Sequence, residues 1–208
     1  MNRIIAIDGT CASGKSALAK GLSRTLDLPY LNTGALYRNI ALFLYKNRLD
    51  HDDKQVVLDN LKNVSFDDLE NPELSGEVVG AITSQIAVIP ELRQFLLKFQ
   101  IDFSKNEKGA ILDGRDIGTV ICPNARYKFF VIADINVRAE RRYNEMKNRG
   151  IAADYDEILE KIRIRDKNDF ERAVAPLKKA DDAIEIDTTK MNQKKALEYA
   201  LEFIQAAP

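Results

Sequence analysis

Gly9-Thr10-Cys11-Ala12-Ser13-Gly14-Lys15-Ser16 follows the apolar run Ile4-Ile5-Ala6-Ile7-Asp8 and precedes a helical pattern of Leu18, Leu22 and Leu26. A run of strand length, a G-x-x-x-x-G-K-S loop and then a helix is the order a P-loop requires. Glycines at both ends let the loop turn its backbone N–H groups inward around a phosphate. The start of the helix adds roughly half a positive charge. Lys15 is then expected to reach the β- and γ-phosphates and the Ser16 hydroxyl to hold Mg²⁺, with Ala17 leading into the helix. The alternative, a glycine-containing turn with a surface lysine, explains neither the strand before nor the helix after. The expectation is a nucleoside triphosphate site, with Mg²⁺, on residues 9 to 17.

Around that loop the chain has room for one domain: 208 residues build one well-buried core with a small insertion and fall short of two ordinary domains. Lys plus Arg (31) nearly balance Asp plus Glu (32), so no global positive field points to nucleic acid or to an anionic membrane. Any anion site must be local. Cys11 and Cys122 lie far apart and suggest neither a disulfide framework nor a metal cluster. The single histidine, His51, sits among aspartates and reads as a solvated loop residue. The apolar run after Met1 is too short for a signal peptide, and no stretch reaches the roughly 18 apolar residues of a membrane span. These features lead to the expectation of a cytoplasmic protein, with a monomer as the default because no exposed apolar heptad appears.

Strand-length apolar runs alternate with helical periods along the chain: Ile4 to Asp8, Pro29 to Leu31, Ala110 to Asp113, Tyr127 to Ala133 and Ala183 to Asp187. Continuous apolar strands joined by helical crossovers predict a parallel β-sheet flanked by helices, a doubly wound α/β domain of the P-loop NTPase kind. Ligands in such sheets sit outside the carboxyl ends of the strands. The residues there are Asp8-Gly9, Asn32-Thr33-Gly34, Asp113-Gly114-Arg115-Asp116, Asp134 and Asp187-Thr188. From about residue 50 to 108 the alternation lapses. Asp52 to Leu61 reads as a short helix, Val64 to Leu74 as polar and strand-poor, and Ser75 onward as helix, broken at Pro90 and resumed through Leu92, Phe95, Leu96, Phe99 and Phe103. That is too long for an ordinary crossover and predicts a small inserted substrate-binding subdomain, with simple packing on the sheet edge as the alternative. Asn192 to Gln205 closes the chain as an amphipathic helix.

A P-loop alone does not separate a small-molecule kinase from a GTPase. No N-K-x-D guanine-reading motif is present; the chain offers arginines instead. Arg38 and Arg115 follow strands at the ligand edge, Arg165 and Arg172 lie late in the chain, and Arg138, Arg141 and Arg142 share one helix. Guanidinium forks match phosphate oxygens bidentately and stay charged. A single arginine is more often a solvated helix face, but two substrates that both carry phosphates require this neutralisation.

Asn32-Thr33-Gly34-Ala35-Leu36-Tyr37-Arg38, Asp113-Gly114-Arg115-Asp116-Ile117-Gly118-Thr119-Val120 and Arg172-Ala173-Val174-Ala175-Pro176-Leu177 together resemble the signature blocks of the bacterial cytidylate kinases. The similarity runs from the P-loop to Thr188-Thr189. It implies transfer of the γ-phosphoryl of ATP to CMP or dCMP, with a CMP-binding insertion at about 50 to 108 and a short lid at about 150 to 173. By resemblance Arg38, Arg115 and Arg172 grip the CMP phosphate, and with Lys15 they form the catalytic set. Ser84, Arg93 and Asp116 match the cytosine-reading positions. Cytosine presents an amine beside two acceptors, so a carboxylate accepts from the amine while an arginine donates to N3 and O2; uracil would face the carboxylate with a carbonyl oxygen.

Arg165, Asp169 and Arg172 fall at i, i+4 and i+7, one predicted helix face ending before Pro176. By resemblance Arg165 and Asp169 contact the sugar of CMP; from spacing alone they are also an ordinary salt bridge. Thr33 matches a hydroxyl residue near the acceptor nucleotide. Arg138 and Arg142, at i and i+4, are similar to residues that stack on adenine and touch the transferring phosphate in related kinases. Asp113 reads either as a carboxylate placed behind Mg²⁺ or as the cap of the next turn. Three departures stand out: Asn32 where the family usually has Asp, Ala12 and Ala17 where it has Gly and Thr, and a shortened insertion after Ser75-Gly76-Glu77. A kinase for UMP or AMP, or a slow nucleotide-gated binding protein, are the rival readings.

Overall fold

Burial on both faces explains the central strand. From Ile5 to Gly9 every residue of β1 (Ile4–Gly9) is buried, which only a strand covered by helices above and below achieves. The computed structural model describes residues 3–206. β1 pairs in parallel with β3 (Ala110–Gly114), Ile5 beside Ile111 and Asp8 beside Gly114. On its other side lies β4 (Tyr127–Ile132), Ile7 beside Phe129. β5 (Ile184–Asp187) pairs with β4, and β2 (Tyr30–Asn32) completes a five-stranded sheet of order β2-β3-β1-β4-β5. All five predicted runs are strands, with ends shifted by one residue at most.

The chain divides into two compact units, one made of the residues up to Tyr30 and from Ser104 onward, the other Leu31–Phe103. In the first unit α1 (Lys15–Leu26) packs on α8 (Gln193–Ala206) and on β3. Leu18, Ala19, Leu22 and Ala200 join Ile5, Ile7, Ile111, Phe129 and Ile186 in one core. α6 (Ile135–Asn148) and α7 (Tyr155–Glu171) pack on each other around Ala139, Met146, Ile158 and Ile162.

The second unit is helical. α2 (Thr33–Lys46) packs on α4 (Glu77–Ile86), burying Leu36, Ile40 and Leu44 of the one and Val79, Ile82 and Ile86 of the other. α3 (Lys54–Asn60) is capped by Asp53, whose side chain accepts from Gln55 N and Val56 N, and is two residues shorter at its start and one at its end than the predicted helix. α5 (Pro90–Ser104) begins at the proline that breaks the sequence pattern, since the first turn of a helix has no use for that N–H. Phe66 packs against Phe95 and Phe99 of α5, at ring centroid separations of 6.5 and 5.6 Å. The unit takes in α2, ahead of the stretch of about 50 to 108 read as an insertion.

Candidate active site

Residues 9 to 16 form a loop fixed by its own backbone. Gly9 has φ +150°, and a Cβ there would meet the Val131 carbonyl oxygen at 2.0 Å, so only glycine lets β1 leave the sheet this close to β4. Thr10 O collects the Ser13 hydroxyl at 2.9 Å and the Lys15 ammonium at 3.1 Å. Gly14, at φ 91°, begins α1 with no side-chain cap and no acid in its first turn, so the first N–H groups of this helix keep the dipole's positive end available to an anion. Burial, with Arg115 adding to it, lowers the Lys15 ammonium to about 7.

Other elements hold the loop from behind. Thr188, after β5, donates to Ser13 O at 2.8 Å, while Arg141 donates to Thr188 Oγ1 at 3.0 Å and to Thr188 O at 2.6 Å. Arg138 is buried and donates to Cys11 O at 3.1 Å and to Ala133 O at 2.9 Å. Its ion pair at 2.6 Å is with Asp166 of α7, whose other oxygen accepts from Cys11 N at 3.4 Å. Sequence reasoning named Arg141 only as one of three arginines on a helix, with no role of its own, and passed over Asp166, which looks like an ordinary helix-surface charge. The available signal was Thr188 at a strand's carboxyl end. Arg142, by contrast, points its charge at Glu145, 2.9 Å away on a more exposed face.

Ser16 donates to Asp113 Oδ2 at 2.5 Å, and the Tyr30 hydroxyl to Asp113 Oδ1 at 3.0 Å. The β1–β3 register sets Asp113 beside Ile7, bringing a strand-end carboxylate to the first turn of α1. A hydroxyl backed by a carboxylate is a hard-oxygen donor set of the kind Mg²⁺ takes when phosphates and waters fill its other positions. Among the described residues no cluster of three His, Cys, Asp or Glu forms an all-protein metal cage. The N–H groups of Ile117 and Gly118, further along the chain after β3, go to Asp8.

Two more arginines of this unit stand beside its own carboxylates. Arg115, immediately after β3, donates through Nε to Asp169 at 2.6 Å, and Arg172 Nη2 lies 3.7 Å from Asp116 Oδ1. Burial opposes both charges of the Arg115–Asp169 pair, but each raises or lowers the other so that both stay ionised: Arg115 titrates above its ordinary value and Asp169 below. Arg165 Nε is buried without a hydrogen-bond partner, an orphaned donor of the sort that awaits a ligand. The expectation that Arg172 shares the helix face of Arg165 and Asp169 is corrected. α7 stops at Glu171, Arg172 is extended (φ −59°, ψ 139°), and its Nε donates to Ala175 O at 2.7 Å. The chain doubles back there, Leu177 N reaching Asp169 O at 2.7 Å.

In the helical unit, Asn32 caps α2 through Ala35 N at 3.1 Å and accepts from Arg38 Nη2 at 3.4 Å. A Cβ at Gly34 would lie 3.1 Å from Arg38 Nη1, so the glycine leaves the guanidinium its place. Thr33 is buried at the start of the helix. Arg93 stands 5.9 Å from the Tyr37 ring centroid, which gives that tyrosine a purpose beyond packing, and donates to Ala87 O at 3.3 Å. The Ser84 hydroxyl folds back onto Gly80 O at 3.1 Å.

A parallel sheet with a P-loop after its central strand and a hydroxyl–carboxylate pair beside it defines the class of P-loop nucleotide-binding proteins. A gluconokinase from Sinorhizobium meliloti has the same fold, with a TM-score of 0.52 at 11% identity over 100% of both chains. Within that class, a family model described as cytidylate kinase matches residues 5–206, and the chain belongs to the cytidylate kinase family. A protein named cytidylate kinase from Methylocella silvestris is 44% identical over 98% of this chain and 94% of its own length. Another of that name, from Paramagnetospirillum magneticum, is 42% identical over 98% of both. No helix among the described residues is long and apolar enough to cross a membrane.

Proposed function

We propose that this enzyme transfers the γ-phosphoryl of ATP to CMP or dCMP, giving ADP and CDP or dCDP, as a cytoplasmic monomer in pyrimidine nucleotide metabolism. The observation that carries the reading is the Arg115–Asp116 step at the end of β3. There a guanidinium suited to phosphate and a buried carboxylate suited to an exocyclic amine stand side by side, with Arg172 next to the carboxylate. Arg38, Arg115 and Arg172 are assigned to the acceptor phosphate, Asp116 with Ser84 and Arg93 to the base, Arg165 and Asp169 to the sugar, and Thr33 to the acceptor's surroundings. Arg142 is assigned to the ATP side; Arg138 serves that side by anchoring Cys11.

Transfer is a direct in-line displacement, in which the protein positions the reactants and neutralises charge and forms no covalent intermediate. Lys15 and the bare N-terminus of α1 hold the β- and γ-phosphates. Mg²⁺, held by Ser16 with Asp113 behind it, supplies charge neutralisation on those oxygens when bound. The acceptor phosphate is ionised at neutral pH, so no general base is required. The insertion at about 50 to 108 belongs to CMP, and the segment of about 150 to 173, which contains α7, acts as a lid that keeps water from the transferring group.

ADP formation across CMP, dCMP, UMP and AMP tests the assignment: strict dependence on CMP or dCMP is expected, and equal turnover with UMP or AMP, or slow hydrolysis indifferent to any acceptor, would overturn it. Arg172→Ala should lose most transfer while still binding ATP; normal turnover in that variant would remove Arg172 from the site.

A further inference from the structure

Asp8 has no part in the mechanism above, yet it is 5% exposed at the end of the central strand. Its two oxygens accept from consecutive backbone N–H groups more than a hundred residues away, Ile117 N at 2.8 Å and Gly118 N at 2.7 Å. These are the first residues of a single π turn, Ile117–Ile121, that follows Arg115 and Asp116 directly. An aspartate placed before a helical turn ordinarily satisfies that turn's first N–H groups with its own side chain. Asp116 occupies that position and makes no such bond. Its backbone carbonyl takes Val120 N and Ile121 N at 2.9 and 3.1 Å, while its carboxylate stands 3.7 Å from Arg172.

We infer that Asp8 caps this turn in place of Asp116 and so is a positioning residue for acceptor recognition: by taking the turn's N–H groups it fixes where Arg115 and Asp116 leave β3. This inference rests on the proposed (d)CMP kinase activity. The packing supports it. A Cβ on Gly118 would lie in ordinary contact with Asp8 Oδ2, at 3.4 Å, and be tighter only against the flexible Lys128 side chain, at 3.3 Å from Cδ, so the carboxylate packs directly against the turn it caps. The Lys128 ammonium does not compete for Asp8, being bound to Asp182 and to the Pro123 carbonyl. Burial pushes the Asp8 carboxyl up to about 7 against the pull of the Gly118 and Ile117 N–H groups, with Asp116 raising it further and Arg115 lowering it. Those two backbone bonds are therefore the main support of its charge.

The test is Asp8→Asn, which keeps the shape but presents an amide where two acceptors are needed. In this variant KM for CMP should rise about tenfold and the preference for CMP over UMP in kcat/KM should fall about tenfold, as a displaced recognition group predicts. The affinity for an ATP analogue, measured directly without acceptor, should stay within about twofold, as binding through main-chain amides at the other end of the loop predicts. Unchanged CMP parameters would overturn the inference, and so would a parallel loss of ATP-analogue affinity, which would make Asp8 a support of the P-loop only. Should Asp8→Asn not fold, Asp8→Glu, which keeps both acceptor oxygens but carries them one methylene further, decides on the same CMP, UMP and ATP-analogue readouts. Amide exchange in the absence of acceptor separates failure of the inference from failure of the activity. Ile117 and Gly118 should exchange on the order of tenfold faster in Asp8→Asn whatever the acceptor proves to be, and unaltered protection would overturn the capping role itself.

Discussion

Single residues carry more of this fold's strain than its sequence advertises. Ala12 sits at φ 57°, in the left-handed region, where a Cβ costs about 1–2 kcal/mol. Glycine would relieve that strain but has more freedom to lose from the unfolded chain, a loss of about 0.5–1 kcal/mol. Ala12→Gly should therefore stabilise the protein by about 0.5 kcal/mol, read as a higher urea midpoint with an unchanged slope. Asp8 gives a pH signature. Its carboxyl titrates at 3.8 when unfolded and about 7 when folded, chiefly through burial, so between those values the folded state keeps a proton the unfolded state has shed. The contribution to stability is complete below the lower value and is lost as pH rises to the upper one. The stability of the protein relative to Asp8→Asn should accordingly fall across that window and level off above it, in denaturation curves taken from pH 4 to 8. At Asn32 the neutral amide accepts from both Ala35 N and Arg38. Asn32→Asp would strengthen both bonds and draw on the charge of Arg38; Tm should rise while KM for CMP increases by about threefold.

Helices divide here by what occupies their first turn. Asn32, Asp53, Asp134 and Asp154 cap α2, α3, α6 and α7 with their side chains, while α1 starts bare at Gly14. Each cap is the residue type that sequence reading seeks, which is why element identity was legible along most of the chain. Asp134→Ala should cost about 1 kcal/mol, visible as a lower urea midpoint, because Asn136 N and Val137 N lose their acceptor. Helix ends were less legible. A 3.6-residue period carries Arg172 onto α7, but it cannot register the return bond from Leu177 N to Asp169 O that turns the chain one residue earlier. The pairing of Ser16 with Asp113 was within reach, since both lie at the carboxyl edge of the sheet. Asp166 was not, because a charge one residue after Arg165 looks solvated until α7 is laid beside the phosphate loop.

Across the whole molecule, the alternation of apolar runs with helical periods was enough to give the parallel sheet, and its lapse after residue 50 marked the helical stretch. The inclusion of α2 in that unit depends on Leu36, Ile40 and Leu44 meeting α4, a long-range choice that no local pattern encodes. A net charge of −1 means that binding rests on local fields. Saturating ligand should accordingly protect the entire fold: an ATP analogue at a hundred times its Kd should add about 2.7 kcal/mol to unfolding free energy, measurable as a raised Tm. The ion pairs of Arg115 with Asp169 and of Arg138 with Asp166 have a further effect. Counter-ions built into the resting enzyme leave Arg115 and Arg138 little attraction for simple oxyanions, so inorganic phosphate and sulfate should compete only feebly with CMP, and Asp169→Asn, which strips one of those counter-ions away, should make them noticeably better competitors.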